Sequence, residues 1–226
     1  MARSPERPRL RVAVTRAAEQ AGELASRIEA TGCQVVLWPL IAIEPLERRP
    51  LDPRDYDWVV VTSRNGAAEL AHRLTAPPRR LAAIGPGTAA ALREHGLEPD
   101  LVPRVSTQEG LLAELPTPAG RVLVAAAEGA RRLLAEALGA DFLPLYRTVE
   151  LQPAGRPEAD LVLLASPSAA RALARTEART LPVLAIGPQT AAAARGLGLE
   201  VAGEAEQHDL EGLVAALGRL AASARR

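Results

Sequence analysis

Ala83-Ile84-Gly85-Pro86-Gly87-Thr88, followed by Ala89-Ala90-Ala91, decides the fold because the chain writes it twice. Offset by 102 residues, Ala185-Ile186-Gly187-Pro188-Gln189-Thr190 falls on it, with Ala191-Ala192-Ala193 behind. The register holds without a gap to Leu115 and Leu217. Arg93 lies over Arg195, Gly96-Leu97-Glu98 over Gly198-Leu199-Glu200, and Glu109-Gly110-Leu111 over Glu211-Gly212-Leu213. Internal repetition has to be settled before any other feature of a sequence, and a match of this length marks a duplicated unit. Each copy sets a Gly-Pro-x-Thr turn between an apolar strand and an Ala-rich helix.

Such a turn has two readings. In the first it is a tidy strand-to-helix connection, with Thr88 or Thr190 as a local cap. In the second it faces a ligand. Glycine lets backbone come close to a bound group, and proline suits the first helical position, where an N–H has no intrahelical partner. The remaining amides and the positive end of the helix dipole then face an anion. Writing the turn twice favours the ligand-facing reading.

Composition narrows the class. A chain of 226 residues with 48% hydrophobic residues forms one large or two small domains and buries a proper core. All 27 basic residues are arginine and balance 27 acidic ones, so the formal net charge is zero. That argues against a general nucleic-acid binder, which carries a basic face, but leaves room for a local arginine cluster. The single cysteine, Cys33, forms no internal disulfide and fits a reducing cytoplasm. His72, His95 and His208 have no metal-ligand spacing with it or with each other. No stretch reaches the roughly 18 to 20 apolar residues of a membrane span. Met1 to Arg9 is polar and Pro-rich, and is expected to be a frayed tail rather than a signal peptide.

Taken in order, Arg11 to Thr15 is a first strand with Arg16 at its carboxyl end. Ala21, Leu24, Ala25 and Ile28 mark an amphipathic helix. Gln34 to Trp38 is a second strand. Residues 41–56, with Pro45, Pro50 and Pro53 among charges, read as an inter-domain linker with an extended edge. Asp57 to Thr62 is a strand buried on both faces, running into Ser63-Arg64-Asn65-Gly66 and a helix. The Gly85 turn, a brief strand at Asp100 to Val102 and a helix from Ser106 to Leu115 follow. Arg121 to Val124 repeats the first strand, with Arg131 and Arg132 on the helix after it. Phe142 to Tyr146 echoes Leu37 to Leu40, and residues 147–157 form a second linker. Then come a strand at Asp160 to Ala165, Ser166-Pro167-Ser168, a helix, the Gly187 turn, a strand near Val201 and a last helix from Asp209 to Leu220. Repeated βα alternation means parallel sheets covered by helices. Periodicity alone leaves two layouts open, consecutive domains or a chain that crosses between domains twice.

The set Val14-Thr15-Arg16, Val61 to Gly66, Ala83 to Thr88, Leu145-Tyr146-Arg147-Thr148, Ser166-Pro167-Ser168 and Ala185 to Thr190 resembles the uroporphyrinogen-III synthase family from about Leu10 to Leu217. That resemblance implies closure of the linear tetrapyrrole hydroxymethylbilane to uroporphyrinogen III, with D-ring inversion, loss of water and no cofactor. It implies two similar flavodoxin-like, three-layer α/β domains with parallel sheets, joined by a pair of crossing strands, with substrate held in the cleft between them. The chain then crosses twice: 10–40 with 158–220 forms one domain, 57–146 the other, and 41–56 and 147–157 are the linkers. One departure stands at Ala17, where the family often has a proline.

The substrate of that family carries eight carboxylates, so a binder needs many N–H donors and a few arginines. Helix starts at Ser63, Asn65 and Gly66, at Gly85, Gly87 and Thr88, at Ser166 and Ser168, and at Gly187 and Thr190 all lie at carboxyl ends of parallel strands, where open α/β sheets bind ligands. Ser63, Asn65 and Ser166 read equally as plain helix caps, a role compatible with ligand contact. Arg16 sits at the same edge and can grip a carboxylate with two bonds. Its alternative is a surface arginine, as is that of Arg131. The leaving hydroxyl of the bilane must be protonated as it departs, and the rest is largely orientation. By the family pattern the acid is Tyr146, whose alternative is a half-buried structural tyrosine. His72 and His95 fall inside expected helices as surface residues. No metal and no nucleic-acid or membrane partner is expected; the chain is expected to act as a monomer.

Two rivals remain. Gly85, Gly87 and Ala90 fit the loose dinucleotide pattern G-x-G-x-x-A, but Gln189 replaces the second glycine in the other copy, and no acidic residue ends a clear strand about 20 residues on. A two-domain protein closing on a small anion is the non-enzymatic reading.

Overall fold

The computed structural model describes residues 9–46 and 49–223. All but one residue of the expected polar tail, together with Glu47 and Arg48 of the first expected linker, therefore lie outside the described residues. The chain divides into two compact units, one running to Ala42 and resuming at Val149, the other spanning Ile43–Thr148.

The first unit is built on β1 (Arg11–Val14), β2 (Gln34–Leu37), β8 (Leu161–Leu164), β9 (Val183–Ala185) and β10 (Val201–Glu204), in spatial order β10-β9-β8-β1-β2. Its pairings are parallel, for example Ala13 beside Val36 and beside Val162. Read from the β2 edge the order is second, first, third, fourth and fifth strand of that unit, the flavodoxin order. Helices α1 (Ala18–Ala30), α6 (Pro167–Ala174), α7 (Pro188–Gly196) and α8 (Leu210–Ser223) cover it. Successive residues face opposite ways along a strand. Val12, Val14, Leu161 and Leu163 therefore pack with α1 and α8 residues, while Ala13, Val162 and Leu164 pack with those of α6 and α7. Two apolar clusters back to back on one sheet make three layers.

The second unit repeats the plan from a different starting point. Its strands are β3 (Ile41–Pro45), β4 (Trp58–Val61), β5 (Leu81–Ala83), β6 (Val122–Ala127) and β7 (Asp141–Glu150), ordered β3-β7-β6-β4-β5. Here β6 takes the place of β1, β7 that of β2, and β4 and β5 those of β8 and β9, so the chain enters at what is the third strand of the other unit. Helices α2 (Arg64–Ala71), α3 (Pro86–Glu94), α4 (Gln108–Glu114) and α5 (Leu133–Leu138) cover its faces. Val59 and Val61 join one cluster, Trp58 and Val60 the other.

Four sequence expectations need correction. Both expected linkers contain strand: β3 occupies the start of the first and β7 runs to Glu150. The Leu46 amide donates to the Leu145 carbonyl (2.9 Å) and the Leu151 amide to the Leu40 carbonyl (2.8 Å), so β3 and β7 run antiparallel. The chain thus passes from one unit to the other inside two neighbouring strands. The strand expected at Asp100 to Val102 shrinks to a single bridge, Leu101 beside Ala82, where β10 lies beside β9 in the other copy. Arg131 and Arg132 precede α5 rather than lying on it, and Arg132 is its N-cap. His72 and His95 are exposed C-cap residues of α2 and α3, not interior helix positions.

Candidate functional site

The carboxyl ends of the parallel strands in each unit run straight into helices, and two kinds of helix start alternate there. The first kind is capped by serine. Ser63 Oγ accepts from the Gly66 amide (3.0 Å), and Ser166 Oγ accepts from the Ala169 amide (3.2 Å). The second kind is the repeated Gly-Pro turn. Gly85 and Gly187 are the N-caps of α3 and α7, and neither helix has a side-chain cap. The reading of Thr88 and Thr190 as local caps therefore fails. Both threonines are buried, at 5% and 3% exposure, beneath amides that no side chain satisfies. The Thr88 amide turns back to the Gly85 carbonyl (3.1 Å), while the amides ahead of it at a helix start have no intrahelical acceptor.

Both cap glycines have extended backbones, φ −178° and 175°, which any residue adopts. What they need is room. A Cβ on Gly85 would stand 2.5 Å from Ser106 Oγ, and one on Gly187 would stand 3.0 Å from the His208 ring. Ser106 and His208 are 102 residues apart, so the repeat register itself pairs them. Serine and histidine share no pattern that marks them as site neighbours, but the offset identifies them. A Cβ on Gly87 would lie 3.8 Å from Arg64 Cδ, so the starts of α2 and α3 stand side by side.

Tyr146 lies in mid-strand on β7, with 5% of its surface exposed. Its hydroxyl donates to Ser63 Oγ at 2.9 Å, and Asn65 also hydrogen-bonds the phenol. Burial pushes its pKa up, against the opposing pull of the bonds from Ser63 and Asn65. The fold thus joins three sequence-selected residues, Tyr146, Ser63 and Asn65, around the start of α2. Gly66 completes the group: a Cβ there would meet Ser63 Oγ at 3.0 Å.

The remaining candidates are placed as follows. Arg16 is half-buried between β1 and α1 and donates to Gln20 Oε1 (3.2 Å). Ser168 Oγ accepts from Arg171 (3.0 Å). Arg131 holds Glu109 with two bonds, 2.7 and 3.1 Å, and keeps that carboxyl down at about 2. Glu109 opens α4, and nothing in the sequence marks it as the partner of Arg131. Among the described residues no group of three or more His, Cys, Asp or Glu could hold a metal ion, and no helix is long and apolar enough to cross a membrane.

Two flavodoxin-ordered sheets, each ending in an uncapped Gly-Pro helix start and a serine-capped one, define a two-unit α/β protein. Comparison with known proteins narrows that class. A family model described as uroporphyrinogen-III synthase HemD matches residues 22–215, and the chain belongs to that family. A uroporphyrinogen-III synthase of Synechococcus elongatus is 27% identical over 91% of this chain and 93% of its own length. A relative from Methanocaldococcus jannaschii named for the same synthase is 28% identical over 62% of this chain, and the match spans 63% of that relative. Among solved structures, a mutant uroporphyrinogen III synthase from Thermus thermophilus shares the fold. Its TM-score is 0.57 at 19% identity, over 95% of this chain and 99% of that one.

Proposed function

We propose that this chain closes hydroxymethylbilane to uroporphyrinogen III, inverting the D ring and releasing water. Family membership supports the reaction, and one structural observation carries the binding mode: the helix starts at Gly85 and Gly187 are repeated, uncapped and glycine-lined. Amides at Gly85, Gly87, Gly187 and Thr190 and the hydroxyl of Thr88 take carboxylates, with Ser166, Ser168, Asn65 and Gly66 at the neighbouring starts. Arg16 and Arg131 add guanidinium contacts, Arg131 by exchanging Glu109 for a substrate carboxylate. Tyr146 is the source of the proton that the departing hydroxyl requires. The electron-rich pyrroles stabilise the azafulvene that results. Attack through the substituted ring carbon gives a spiro intermediate that fragments and recloses. Protein needs to supply orientation and one weak acid, so no cofactor enters the scheme. The chain works as a monomer in a reducing cytoplasm, consistent with a single buried free Cys33.

The test is incubation of purified protein with enzymatically generated hydroxymethylbilane. The expected product is uroporphyrinogen III, formed faster than spontaneous closure. Uroporphyrinogen I at the uncatalysed rate would overturn the reading. Thermal stabilisation by a dinucleotide instead would restore the nucleotide rival, and tight binding without turnover would point to an anion receptor.

A further inference from the structure

The serine caps of the two units match in place but not in surroundings. Ser63 and Ser166 each follow the third strand of the common plan and each cap the next helix. Behind Ser63 stands the Tyr146 hydroxyl at 2.9 Å. In the other copy the echo of Pro144-Leu145-Tyr146 is Pro39-Leu40-Ile41, so an isoleucine occupies the tyrosine's place. Asn65, which also bonds the phenol, is matched by Ser168, which is held by Arg171 instead. One cap is backed by a phenolic hydroxyl and its twin is not.

Counting protons around Ser63 gives this difference a consequence. A serine hydroxyl has two acceptor positions and one proton. The Gly66 amide and the Tyr146 hydroxyl fill the two acceptor positions. The proton of Ser63 then has to point elsewhere. The phenol, buried at 5% exposure, spends its own proton on Ser63.

We propose that Ser63 hands the proton to the departing hydroxyl of the substrate, with Tyr146 behind it as the positioning residue that polarises and refills it. This rests on the synthase reading above. As the C–O bond breaks, the Ser63 proton goes to the leaving oxygen and makes water. The Tyr146 proton moves to Ser63 Oγ, and Asn65 and Ser63 hydrogen-bond the phenolate. The carbon-bound proton lost after the final ring closure returns to Tyr146 by the same route, so donor and substrate both balance. The other unit, lacking the phenol, holds carboxylates only.

A double-mutant cycle tests the series arrangement. Ser63→Gly deletes the hydroxyl, yet glycine is itself a tolerated helix N-cap, so the fold survives. Wild type is assayed first: if it makes only uroporphyrinogen I, the synthase reading falls before the relay is reached. Ser63→Gly is expected to lower kcat on the order of a hundredfold, as loss of an acid does, with little change in KM. Tyr146→Phe is expected to cost less, because Ser63 can be refilled from solvent. The double variant should match Ser63→Gly within about twofold, since groups in series do not add. Ser63→Thr keeps both cap and hydroxyl and should restore kcat. The proposal is overturned if Ser63→Gly turns over within twofold of wild type, if Tyr146→Phe is the worse variant, or if the two losses multiply.

Discussion

Glycines in this chain do unequal work, and the difference is measurable residue by residue. A Cβ on Gly110 would overlap the Val105 carbonyl oxygen, and one on Gly212 would overlap that of Gln207. Both clashes are with backbone, so neither relaxes by a rotamer change. Gly110→Ala or Gly212→Ala is expected to destabilise by about 3 kcal/mol, the upper range for overpacking, read as a lowered thermal midpoint. Gly22 sits inside α1 with nothing within 4 Å of its missing Cβ. Gly22→Ala is expected to stabilise by about 0.5–1 kcal/mol, the helical penalty of glycine. The opposite sign for two identical substitutions is the check. Arg131 offers a second one. It lowers Glu109 from 4.5 to about 2, so the pair contributes stability that is complete above 4.5 and disappears as pH falls toward 2. Arg131→Gln should flatten the loss of stability across that window while changing little at neutral pH, because the pair is exposed. An unchanged acid profile would mean that the ion pair is absent in solution.

At the scale of elements, strands and helix starts were legible wherever burial and capping act locally. Trp58 to Val61 reads as buried on both faces because every residue is apolar, and all four are buried. The strands inside the expected linkers fail that test for a physical reason. Strand β3 is an edge strand containing Glu44 and Pro45, half-buried rather than alternating, and its partner β7 is nearly 100 residues away in sequence. Pairing of that kind leaves no local period. The site follows the same rule. Ser63, Asn65 and Tyr146 were each readable from motif order, but the 2.9 Å bond between Tyr146 and Ser63 spans 83 residues, and only the folded chain brings it about. The caps lend themselves to a direct test. Ser166→Ala removes the acceptor for the Ala169 amide and is expected to cost about 1 kcal/mol of stability. If the start of α6 also holds a carboxylate, KM should rise while kcat stays near wild type. A lost cap with unchanged KM would assign Ser166 to structure alone.

For the molecule as a whole, the balance of 27 arginines against 27 acids decides how a polyanion is captured. A net charge of zero produces no long-range field to draw in eight carboxylates. Many of the arginines are also occupied, Arg147 with Glu44, Arg171 and Arg175 with Glu150, Arg93 with Glu98. On the proposed binding mode, attraction comes at short range, from main-chain amides at the starts of α3 and α7. These carry partial charge only and act inside a hydrogen-bond length, where mobile ions intervene little. Raising ionic strength from about 0.05 to 0.3 M shortens the screening length to roughly two fifths, which weakens exposed charge pairs far more than hydrogen bonds. KM for the bilane is therefore expected to rise by no more than about threefold over that range, with kcat unchanged. Arginine-led capture of several carboxylates would instead raise KM by an order of magnitude or more. Steady-state rates at four salt concentrations separate the two modes, and the steep result would move the weight of binding from Gly85 and Gly187 to Arg16 and Arg131.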